Sequence, residues 1–440
     1  MHALLLMLAM VVSDGQPRWP GFLGAGAEEV AAESLPLTWS ATEHVAWKTN
    51  VPGDGQSSPV VWNDQIYVTS VEGPEKDVCH LLALRLADGS QAWDAKVDSS
   101  HKVMSSLYVS RAAPTPVADE QGVYAFFESG DVLAVSHTGQ QRWHRSLSQD
   151  YGKFVNKFGL SASPIQTADA VIILVDDEGP SYLVALAKAD GSVLWKTDRT
   201  SRVSWSSPAL VTVGDQQQVV CSSAGSVDGY DPADGKLLWS YNDVGGNTAA
   251  TPLAYDAGQF LVGASAGSDG KNADAARRSD FAMAIEMVDG VATPKVLWKT
   301  EEALSSFGSP RVHAGHAYWV NRSGVVFCFD VATGELRYKE RTKQSCWATP
   351  LGIGDRVYFF GKDGVTTVLA AGPKFELLAE NVLWNPDDYK PDPAKAAQEE
   401  TEERRRAAAN FAGPVQYGVA AVNGSLIVRT GDTIYCLRAE

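Results

Sequence analysis

The sequence predicts an all-β fold, an eight-bladed β-propeller of four-stranded antiparallel blades whose last blade is closed by an N-terminal strand; seven blades is the runner-up. Three observations predict it. A Ser-Pro or Thr-Pro pair recurs seven times, as Ser58-Pro59, Thr115-Pro116, Ser163-Pro164, Ser207-Pro208, Thr251-Pro252, Ser309-Pro310 and Thr349-Pro350. An apolar run of strand character follows each pair, as in QIYVTS, GVYAFF, HAYWVN and RVYFFG. A turn glycine then precedes an aromatic residue by four positions in Gly89/Trp93, Gly139/Trp143, Gly191/Trp195, Gly235/Trp239 and Gly334/Tyr338, while Gly290 reaches Trp298 through a longer connection.

Each unit reads as four short strands, a to d, separated by Gly- and Asp-rich turns. A lone four-stranded sheet cannot bury both faces, and stacking the sheets in a ring does so. Trp47, Trp93, Trp143, Trp195, Trp239, Trp298 and Tyr338 are then the wedges between blades. A small residue six positions before the turn glycine (Ala83, Ala185, Gly229, Ala284, Cys328, with Ala134 one position off) is expected to face an aromatic from the neighbouring blade. Cys436 takes the same place, so Cys328 and Cys436 read as small core residues. The seventh unit has no Trp, and the eighth has a Val419 where Pro stood and lacks a fourth strand. The segment around Trp47 lacks the three strands that should precede it. Pairing these two ends completes blade eight and leaves no free edge.

The chain divides accordingly into a signal peptide at 1–15, an N-terminal strap at 16–46 and the propeller at 47–440, with a helical insertion at 383–412. Met1 to Val12 are almost wholly apolar, and small or polar residues follow them, which reads as an export signal cleaved near Gly15. The expected location is periplasmic or secreted, and the mature chain has no transmembrane span. In the insertion, Asp392 can cap a helix with Pro393 at its first position, and Glu400/Arg404 and Glu402/Arg406 are spaced for helical ion pairs. The net charge of −16 argues against nucleic acid as a partner. The five cysteines include no C-x-x-C pair, so neither a disulfide framework nor a zinc site is indicated.

The segments WKT followed by SSPVV, ALRLADGSQAW and YDPADGKLLW resemble the repeat of PQQ-like, quinoprotein-type β-propellers. That group includes quinoprotein dehydrogenases and the propeller lipoprotein of the outer-membrane β-barrel assembly complex, and the opening of the chain resembles exported bacterial members. The resemblance implies the fold and export. The catalytic branch implies adjacent cysteines beside the quinone, with a calcium site and a catalytic Asp. No two cysteines are adjacent here, and no C-x-x-C-H haem motif is present. No cofactor is therefore expected.

The longest links between blades, at 94–111, 144–160 and 381–417, should gather at one mouth of the channel. They and the next link carry Lys102, Arg111, Lys157 and Arg199, interleaved with Tyr108, Tyr151, Phe154 and Phe158. In so acidic a chain these cations read as a funnel for an anionic ligand, with a set of solvated charges as the alternative. Three residues before each Pro, Trp205, Phe307 and Trp347 are candidates to stack on a ligand or to pack between blades, and Gln416 is the equivalent position in blade eight. His313 and His316 form an H-x-x-H pair on a hairpin turn, and Asp176, Asp177 and Glu178 an acidic turn; both read more simply as solvated turns than as metal or acid–base sites. The expected function is binding or scaffolding by a monomer, toward a protein, peptide or glycan of the cell envelope. A divergent quinoprotein oxidoreductase or another propeller-based enzyme is the alternative.

Overall fold

The computed structural model describes residues 16–440 apart from 25–26, 28–29, 107–108, 266–271, 304, 390–396, 398, 400, 403, 406–412, 423 and 440. The expected signal segment, Tyr108 and the capping pair Asp392-Pro393 lie outside the described residues, as do Glu400 and Arg406.

Eight antiparallel sheets form the ring. Blades one to seven span 60–98, 117–146, 165–198, 209–241, 253–300, 311–341 and 351–382. The eighth joins 416–438 to the N-terminal strand Val45–Asn50, which pairs with Thr433–Arg438 in the register Trp47↔Cys436 and Asn50↔Thr433. The closure of the ring by the segment around Trp47 is thus as the repeat predicts.

The core lies between blades. Each of the buried apolar clusters mixes residues from neighbouring sheets, as where Tyr124 and Phe126 of blade two meet Ile173 and Val184 of blade three. The outer-strand tryptophans tie these layers together. Trp47, Trp143, Trp195 and Trp298 donate their indole N–H to Leu86 O, Lys188 O, Pro232 O and Val331 O of the following blade, at 2.8–3.1 Å. Each ring lies flat on the turn glycine of that same blade. A Cβ at Gly89 would come within 2.4 Å of Trp47, and one at Gly191 within 2.7 Å of Trp143. Both glycines also have positive φ, so shape and backbone require the same residue.

The small residues that accompany these tryptophans face a different partner from the one expected. Ala83, Ala134, Ala185 and Gly229 pair in register with Trp93, Trp143, Trp195 and Trp239 of their own blade. In blade five the long outer hairpin moves the position by two, so that Ala282, not Ala284, lies opposite Trp298. Blade seven, which has Ala379 at this place, is sealed from outside the repeat. Trp39 of the strap stacks on Tyr358 at 6.4 Å, and its backbone is held by Asn381.

The inner strands begin after the prolines. Strand a of blade one is Val60–Trp62 and that of blade six Arg311–His313, each starting one residue after the proline. Proline has no N–H to give to a ladder, and the residues before it bond to the neighbouring blade instead.

Candidate functional site

The channel wall is built in tiers, because successive inward residues of each inner segment are two apart. The middle tier is the Ser or Thr of the Ser/Thr-Pro pairs. Ser58 N–H donates to Thr115 Oγ1, Thr115 N–H to Ser163 Oγ, Ser163 N–H to Ser207 Oγ, Ser207 N–H to Thr251 Oγ1, Thr251 N–H to Ser309 Oγ and Ser309 N–H to Thr349 Oγ1, all at 2.9–3.0 Å. This belt runs from blade to blade around the axis. It breaks at Gly418 of blade eight, where a Cβ would stand 2.1 Å from Ser58 Oγ. The ring closes there too tightly for a side chain.

The upper tier, toward the links between blades, holds Gln56, Ala113, Ser161, Trp205, Ala249, Phe307 and Trp347. Phe307 is half exposed and packs on Trp347 at 5.2 Å. Trp205 packs edge-on against Phe158 at 6.0 Å and donates its indole N–H to Gly159 O. Three of the four aromatic and amide residues proposed from sequence therefore line the channel. Gln416 does not. A β-bulge between Gln416 and Gly418 turns it inward, where its amide donates to Gly361 O, and Tyr417 lines the channel in its place. Burial pushes the Tyr417 hydroxyl above its ordinary pKa, against the opposing pull of nearby Arg111.

Two residues further along, blades one to five and seven have Val60, Val117, Ile165, Ala209, Leu253 and Leu351, and blade six has Arg311; Arg311 and Leu351, with Val419 of blade eight, line the lower part of the cavity. The channel ends here. Residues 17–24 of the strap cross its base: Arg18–Trp19 adds a fifth strand to blade one beside Val60–Trp62, and Pro20 O accepts from Ala118 N–H. Trp19, Phe22 and Leu23 floor a cavity of about 260 Å³ that opens at the aromatic end.

The cations expected to form a funnel are distributed otherwise. Arg199 is buried, with Nε on Asp176 at 3.0 Å, a second nitrogen on Asp228 and Tyr230, and a third on Ser223 at 2.9 Å. Burial opposes its charge, but these partners outweigh burial and raise its pKa. Arg111 is likewise buried, bound to Asp54 at 3.0 Å and to Ser106 O at 2.8 Å. Lys102 is exposed and paired with Asp77 at 2.6 Å, and Lys157 is exposed over the ring of Phe158. Arg111 and Arg199 hold links and blades together, so the four do not make a rim of free charge. The expectation failed for Arg111, Arg199 and Lys102 because their acidic partners come from other segments of the chain that no local pattern reveals.

The long links do meet at this mouth. Ser106 donates to Glu399 of the insertion at 2.8 Å, and Arg404 of the insertion lies over Phe158. The acidic turn is structural: Asp177 accepts backbone N–H groups of Val155, Asn156 and Gly179. His313 binds Gly354 O and His316 binds Ala314 O, and among the described residues no three His, Cys, Asp or Glu gather as a metal site. Sequence reasoning missed Tyr417, Arg311 and the plug. The plug left a signal in the apolar string WPGFLG ahead of the first blade.

A quinone of the kind the resemblance implies is a tricarboxylate held with calcium. Calcium needs several carboxylate or carbonyl oxygens, and the residues lining the cavity include one guanidinium, no Asp, Glu or Cys, and one side-chain carbonyl, that of Gln56, which already accepts from Arg111 N–H. These residues do not fit the group, and no redox step follows from them.

The family described as "Outer membrane protein assembly factor BamB" matches residues 35–156, 153–335 and 284–430. Among curated relatives, outer membrane protein assembly factor BamB of Shewanella oneidensis is 31% identical over 140 residues, 30% of this chain and 33% of that protein. BamB of Burkholderia pseudomallei is 26% identical over 233 residues, 52% of this chain and 54% of that protein. The chain thus spans a third to about half the length of these relatives. Among solved structures, BamB from Moraxella catarrhalis superposes with a TM-score of 0.57 at 13% identity, covering 89% of this chain and 96% of that one. The computationally designed Ika8 protein gives 0.56 at 12% identity, covering 90% and 99%. A quinohemoprotein alcohol dehydrogenase from Pseudomonas putida HK5 gives 0.52 at 12% identity, covering 90% and 76%. At these identities the structures speak for the fold alone. The family match extends over most of the propeller, and the chain is a member of the outer membrane protein assembly factor BamB family of PQQ-like repeat β-propellers.

Proposed function

We propose that this propeller is an exported docking module, engaging a protein partner of the bacterial envelope at the aromatic mouth of its channel and serving the assembly of outer-membrane proteins. The observation that carries the reading is the mouth itself. Phe307 and Trp347, with Trp205 and Phe158 across from them, present paired aromatic faces at an open end, while the other end is plugged by the chain's own strap. Aromatic residues set around a pocket with a polar interior are the usual anchors of protein docking. The family's description as an assembly factor supports the setting, and the quinone alternative is disfavoured by the donor set of the cavity.

The test is genetic. Deleting the gene should lower the level of assembled outer-membrane proteins in the host, and the wild-type chain should restore it. A Trp205→Ala, Phe307→Ala double variant with an unchanged melting transition should not. Restoration by that variant would remove the mouth as the docking end, and unchanged levels on deletion would remove the assembly role.

A further inference from the structure

The lower wall of the blind channel carries a charge that the repeat does not call for. Phe307, Ser309 and Arg311 stand in one line down the wall of blade six, whereas the equivalent of Arg311 in each other blade is apolar. The Arg311 guanidinium donates to Leu23 O at 3.3 Å. Among the described residues no carboxylate stands within ion-pair distance of it, and burial alone draws its pKa down. Holding the strap takes one neutral hydrogen bond, which glutamine would supply; it does not account for a half-buried cation.

Above Arg311 lies the hydroxyl belt. Six of its oxygens already accept a backbone N–H, and among the described residues no acceptor receives their own protons. Those O–H groups can be turned into the channel. The interior therefore offers hydroxyl donors and one cation, with aromatic faces above them and no anion in the lining.

We propose that the channel is a receptor for a single carboxylate, taken by Arg311 and the hydroxyl belt while the apolar part of the ligand lies between the aromatics of the mouth, an inference that rests on the mouth being the docking end. A cation would meet Arg311, and a neutral ligand would leave its charge unmatched. The cavity of about 260 Å³ admits one side chain with its terminal group, not a folded domain. The carboxylate is supplied either by the C-terminus of an extended polypeptide or by a free small acid.

Tryptophan fluorescence titration of the full chain tests this. The probes are acetyl-Gly-Gly-Phe as free acid, the same peptide as C-terminal amide, and phenylacetate. The free acid should bind saturably, and the amide roughly ten- to hundredfold more weakly, the range for losing a charge-assisted hydrogen bond. Arg311→Gln should abolish the preference for the acid, whereas Phe307→Ala should weaken both forms alike. If Arg311→Gln proves unfolded, acetate competition needs no variant and should displace the acid while leaving the amide. Phenylacetate binding as tightly as the acid peptide would support the site as one for small acids, and weaker binding would support it as one for chain ends. Equal affinity for acid and amide, a preference surviving in folded Arg311→Gln, no effect of acetate, or no saturable binding of any carboxylate would each overturn the proposal. The genetic test of the mouth is read separately, so failure here leaves the docking role standing.

Discussion

Arg199 illustrates what a single residue contributes to this ring. Its side chain reaches from the link after blade three to Asp176 in its own blade and to Asp228 and Tyr230 in blade four. Both carboxylates are almost wholly buried, so removing the cation leaves Asp176 without its counter-ion and Asp228 with only the longer contact to Arg202 at 3.7 Å. Arg199→Met should therefore cost about 3–5 kcal/mol, the range for breaking a buried ion pair, measured as a lower midpoint in urea unfolding. A solvated rim cation would change the midpoint little. The type of residue was legible in the sequence and its role was not, because Asp176 and Asp228 lie 23 and 29 positions away, in a turn and a strand whose placement is set by the whole fold. Trp205, Phe307 and Trp347 were legible, since their place in the repeat fixes which way they point. Gln416 fell to the bulge beside it, a one-residue shift that reverses a side chain.

At the scale of the element, the N-terminal segment does two separate jobs. Val45–Asn50 supplies the outer strand of blade eight and sets Trp47 against Gly89 of blade one. Residues 17–24 plug the channel, and between the two the strap crosses the seam of blades seven and eight, where Arg356 donates to Ala32 O and Asn381 to Leu37 O. Deleting residues 16–50 should open the ring, exposing the edge of Thr433–Arg438 and the apolar face covered by Trp47. Aggregation, or a large fall in the melting temperature, is the expected outcome. A truncation that melts like the full chain would show that the ring does not depend on this strand.

At the scale of the molecule, the belt of Ser and Thr hydroxyls connects blade to blade at the axis while the tryptophans do so near the rim. The belt also leaves little space at its closing point. Gly418→Ala would drive a methyl group against Ser58, whose Cα lies 2.7 Å from the new atom as well as its hydroxyl, so a side-chain rotation cannot relieve the contact. About 1–3 kcal/mol should be lost, the usual cost of overpacking, and chemical unfolding of the variant measures it. An alanine tolerated there without loss would mean that the inner ring is looser than the contacts imply.

The sequence by itself determined the blade and the strand that closes the ring, and favoured eight blades over seven, which the eight sheets settle. These follow from local periodicity: alternation along a strand, glycine where φ is positive, and an aromatic at a fixed offset from the turn. It also marked the mouth, since inner-strand position dictates direction. The tertiary structure alone decided which cations are free, that the Ser/Thr-Pro pairs form a belt, and that the strap turns an open channel into a cup with Arg311 near its floor. Each of these depends on residues from different blades, or from the strap, meeting at the axis. A repeat fixes what every blade brings to that axis, but only closing the ring fixes the distances between them.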